Sequence, residues 1–98
     1  MNQTNPDKEF WDIADAFIAV ANERCGTVFP GKVSAAMLYA AARFNAFIAA
    51  SQSKSKEQFV TELDETTAYF VAQFQKMLRE NLSDYEANFG DCVSGSAV

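Results

Sequence analysis

Residues 33–50 are apolar or small on every helical face, interrupted only by Ser34, Arg43 and Asn45. A helix without a polar side has no stable place on the surface of a soluble domain, so this stretch predicts a central helix that others cover. The rest of the chain supplies bulky groups to cover it: nine Phe, three Tyr and one Trp. Only four Gly and two Pro are present, and they fall near segment ends. With 98 residues the expectation is one mostly helical domain over 1–89. A small, polar, aperiodic tail over 90–98 is expected to be disordered and to leave Cys92 exposed.

Three helices are legible. Asn5-Pro6 opens the first as an N-cap residue followed by proline, and Asp7 and Glu9 favour the positive end of its dipole. Phe10, Ala14, Phe17 and Ala21 form its stripe, and Gly26 is expected to stop it in a left-handed conformation. Pro30-Gly31 reads as a turn, with Val28 and Phe29 folding back over the end of a bundle and Ser34 capping the second helix. Met37, Ala41, Phe44 and Ile48 make one stripe of that helix, beside a row of alanines on which a neighbouring backbone can approach. Residues 51–55 are a polar break. Ser55 followed by Gln58 then matches a capping box ahead of the third helix.

The third pattern is the long one: Phe59, Leu63, Thr66, Phe70, Phe74, Met77, Leu82, Tyr85 and Phe89 recur mostly at spacings of three or four. Unbroken, that helix runs to about Asn88, with Gly90 ending it, whereas Asn81, Ser83 and Asp84 compete for backbone hydrogen bonds and offer a place to break. The fold expected is therefore all-α, an antiparallel three-helix bundle whose long third helix outruns its partners. Met77, Leu78, Leu82, Tyr85 and Phe89 are left without an intrachain neighbour. Either the chain bends near Ser83 and folds back, or these residues meet a second copy. The stripe continues through the possible break, so a homodimer is the expectation.

A net charge of −5 and a pI near 4.5 argue against nucleic acid, because phosphate contacts need clustered Lys and Arg. Residues 1–8 lack an apolar leader core, and the apolar run of the second helix falls short of a bilayer and carries Arg43. The expectation is a cytoplasmic protein with no membrane partner. Two cysteines without secretory context are expected as free thiols.

Histidine is absent, which removes Ser/His and Cys/His dyads and imidazole metal ligands. No Gly-rich phosphate loop is read, and Glu62 with Glu65 or Asp12 with Asp15 read as solvated faces. No catalytic residue, cofactor or metal is therefore expected. Arg43 and Asn45 have two readings. In one, Arg43 meets an acid of a neighbouring helix and Asn45 bonds between helices. In the other, they form a polar spot with Tyr39 in an apolar groove that fixes a ligand or partner carboxylate. Lys32 beside a helix start is a weaker anion candidate.

Phe10-Trp11, the run from Ala14 to Ala19, Gly31 to Ser34, the Ala-rich block before Arg43-Phe44-Asn45, Met77-Leu78 and Asp84-Tyr85 carry a family likeness. Over residues 7–89 the chain resembles small bacterial proteins grouped as a domain of unknown function. The resemblance implies a stand-alone domain and brings no activity, cofactor or site residue with it. The functional expectation is a non-enzymatic, self-associating interaction module with possible protein partners. The alternative is a small-ligand carrier or sensor with an interhelical pocket near Arg43.

Overall fold

A computed structural model describes residues 6–92, which fold as five helices: α1 Pro6–Arg24, α2 Pro30–Gln52, α3 Lys56–Thr61, α4 Leu63–Ala87 and α5 Phe89–Cys92. Among the described residues there is no strand, so the protein is all-α. The chain divides into two units, residues 6–40 and residues 41–92.

The first unit holds α1, the turn after it and the first half of α2. Pro6 stands at the first helical position as expected, with Asp7 and Glu9 in the first turn. Lys8 Nζ meets Asp12 Oδ2 at 2.8 Å on the solvated side, the i to i+4 geometry of a helix surface pair. At the other end the left-handed glycine is not found: among the described residues no glycine has positive φ. The helix instead tightens into shorter-range bonds, with Gly26 N–H donating to Glu23 O at 3.1 Å and Thr27 N–H to Arg24 O at 3.1 Å.

Pro30-Gly31 is the first turn of α2 rather than a loop. Proline lacks the N–H that a first helical position leaves unsatisfied anyway, and its fixed φ suits the start. Lys32 and Val33 N–H both donate to Phe29 O, at 2.9 and 3.3 Å. Ser34 therefore lies inside the helix, not at its cap. Phe29 does not cover anything: it is 76% exposed, its ring lying over Gly31.

In the second unit, α2 ends with Ser51 Oγ donating to Ile48 O and Ser53 Oγ to Ala49 O. Ala49 O is one of the last four carbonyls, which a helix end leaves without a ladder partner. The capping box forms next: Ser55 Oγ accepts from Gln58 N–H at 3.1 Å, while Gln58 Oε1 accepts from Lys54 N–H at 2.8 Å. Ser55→Ala removes the first of these bonds. The expected loss is about 1 kcal/mol of unfolding free energy, measured by urea titration.

The interruption of the third pattern falls at Glu62, not near Ser83. Glu62 has φ −99° and ψ 6°, and its N–H is shared between Gln58 O and Phe59 O at 3.1 and 3.2 Å. The preceding Thr61 hydroxyl bonds back to Glu57 O at 2.8 Å, a contact that bends helices. Through residues 81–84 the helix is continuous, because Asn81 Nδ2 donates to Met77 O and so satisfies its amide without disturbing the ladder. Asn88, two positions before Gly90, forms the C-cap of α4. Gly90 and Cys92 then lie in the short α5, so residues 90–92 are helical; residues 93–98 and the Cys92 side chain lie outside the described residues.

No described residue is buried. In the first unit Ala14, Ile18, Ala21, Cys25, Val33 and Met37 are half-covered, and in the second Asn45, Ile48, Ala49, Phe59, Thr66 and Phe70 are. The central helix expected at residues 33–50 is present, but none of its residues is buried. Each end of α2 is covered on one side only, within its own unit.

Candidate functional site

The first half of α4 is positioned by the second unit. Ile48, Ala49, Gln52 and Ser53 of the α2 end face Glu62, Glu65, Thr66, Tyr69 and Phe70 across an open groove of about 540 Å³. Tyr69 and Phe70 meet edge to face, with centroids 5.2 Å apart. From Val71 onward α4 changes character. Every residue from 71 to 84 is exposed, and Tyr85 alone before the helix end is half-covered.

That free length carries the residues expected to meet a second copy. Met77 is 46%, Leu78 43%, Leu82 57% and Phe89 65% exposed. At about 100° per residue Val71, Phe74, Leu78, Leu82 and Tyr85 share one side of α4, while Lys76, Glu80 and Gln73 take the other. Phe89 stands just beyond, in α5, after the Asn88 cap. The uninterrupted helix through Ser83 turns these positions into one face; a bend there would have scattered them.

The second candidate set is more dispersed. Tyr39 belongs to the first unit and is 68% exposed. Arg43 is exposed in the second unit and forms no ion pair among the described residues of that unit, and Asn45 is half-covered. Neither described groove is lined by Tyr39, Arg43 or Asn45. Lys32 is exposed in the first turn of α2.

Residues 26–32 have the spacing Gly-x-x-x-x-Gly-Lys. The context differs from a phosphate cradle: a helix rather than a strand precedes it, and Val33 stands where the motif places a magnesium-binding hydroxyl. Among the described residues no group of three or more Cys, Asp or Glu side chains is gathered to hold a metal ion.

Within the 23 residues of α2 an 18-residue window has a mean hydropathy of 1.4, a length and composition shared by membrane spans and by the core helices of soluble proteins. Pro30, Gly31 and the residues past Ala50 extend the helix beyond the apolar run.

Together, the helices and the free α4 face define a small all-helical protein with more apolar surface than its own units cover. The chain belongs to the family of proteins of unknown function DUF3144, whose model matches residues 10–86. The match spans the α2 block and the α4 face that carried the resemblance. No curated protein and no solved structure shows a significant match.

Proposed function

We propose that this protein is a non-enzymatic, self-associating interaction module, with an antiparallel three-helix packing that a second copy completes. One observation carries the reading: nineteen large apolar side chains are between 43% and 76% exposed, and no described residue is buried. Full burial of one such side chain is worth about 1.5–3 kcal/mol, and a small domain is stable by only about 5–15 kcal/mol in total. A chain left in that condition has no core to hold its tertiary arrangement. A second copy presents the same apolar faces, and a two-fold pairing is the simplest closed assembly.

The same reading treats α2 as covered by protein, in a cytoplasmic setting, rather than by lipid. Arg43 lies near the middle of the helix, where a bilayer would exact about 2.5–3.5 kcal/mol for its charge. The net charge of −5 supports a protein partner over nucleic acid. Sedimentation equilibrium of the purified chain over a range of concentrations should give twice the 10.8 kDa chain mass. A single-chain mass at all concentrations sinks the proposal.

A further inference from the structure

Arg79 and Glu86 stand on one edge of the α4 apolar face, with Leu82 and Ser83 between them, and these four residues line one shallow groove. Both charged residues are exposed, and neither forms an ion pair among the described residues. Seven positions of helix separate them by about 10 Å along the axis, too far for them to neutralise each other. An edge that carries a cation and an anion at that separation is complementary to itself when turned end for end.

Resting on the self-association proposed above, the geometry points to an antiparallel pairing of two α4 helices. The two-fold axis passes between Leu82 and Ser83, so that Arg79 of each copy meets Glu86 of the other. In antiparallel helices like edges meet, which brings these two charges together twice. In a parallel pair opposite edges meet, and Asp84, about 160° around α4 from Glu86, would face it as a like charge. Opposed helix dipoles favour the same choice.

The apolar groups agree with this register. Leu82 of each copy meets its own mate beside the axis, and Leu78 of one lies toward Tyr85 of the other. The overlap uses residues 78–87 of α4 and leaves the groove beside α2 untouched.

Charge reversal tests the register in sedimentation equilibrium. Arg79→Glu and Glu86→Arg, each alone, should raise the dimer Kd at least about tenfold, by placing like charges opposite one another twice. Mixing the two single variants should restore association as a heterodimer, and Arg79→Glu/Glu86→Arg in one chain should restore the homodimer. Single variants that dimerise as well as wild type, or a mixture that gives no heterodimer, overturn the antiparallel register while leaving self-association standing. A wild-type chain that never dimerises overturns both.

Discussion

Replacing Leu82 by aspartate is expected to convert the proposed dimer into single chains. Leu82 is 57% exposed on the free face of α4, so the substitution disturbs little within one copy. Across a two-fold axis its effect doubles, because each copy loses an apolar group from the centre of the contact and gains a carboxylate there. Lost burial of a leucine is worth about 2 kcal/mol, and desolvating an unpaired carboxylate adds to that. For two copies the Kd should rise on the order of a thousandfold, since each 1.4 kcal/mol is a factor of ten. Light scattering at micromolar concentration reads the result as a single-chain mass. A variant that keeps the dimer mass would remove the α4 face from the interface.

Ser83→Pro is expected to act more severely, through the backbone. Residues 81–84 run within continuous α4, and Ser83 lies in its interior. Proline there deletes a ladder hydrogen bond and sets its ring against the preceding turn, at about 3 kcal/mol or more. The kink also separates Leu82 and Tyr85 from Val71, Phe74 and Leu78. Circular dichroism should show lost helix content, and sedimentation should show lost dimer, at the same substitution. Unchanged helicity would mean that the chain already bends at Ser83, which the structure excludes.

Signals confined to a few residues were legible in advance. Pro6 at the start of α1 depends only on its missing N–H and fixed φ, while the Ser55 and Gln58 capping pair and the polar break after α2 depend on side chains bonding backbone within about one turn. The stripe of α4 was legible for a similar reason, as periodicity needs only spacing. Three local expectations failed, and one left open was decided, where two comparable solutions compete. Gly26 permits a left-handed stop but does not require it, and shorter-range bonds close α1 instead. Ser34 and Pro30 both suit the start of α2, and the earlier one prevails. Asn81 can break a helix or bond back to Met77 O, and it does the latter. Glu62, with no Gly or Pro beside it, gave no warning of the interruption it makes, although Thr61 and its back-bond were a faint one.

For the candidate sites, the free face of α4 was visible as surplus apolar spacing. The edge that Arg79 and Glu86 share with Leu82 was not, because it exists only where the helix runs unbroken through residues 79–86. Arg43 was singled out for the opposite reason, a charge in an apolar run. In the structure that run is nowhere enclosed, so its charge stays exposed.

Composition and periodicity determined that this protein is all-α, where its main helices lie, and that α4 carries an apolar stripe along its length. These follow from backbone propensity and spacing, which act within a few residues. Only the tertiary structure decided that the chain bends at Glu62 rather than Ser83, and that the apolar faces of α2 and α4 are left unburied. Burial is a property of what surrounds a side chain, and no local pattern specifies how much of a face its neighbours reach.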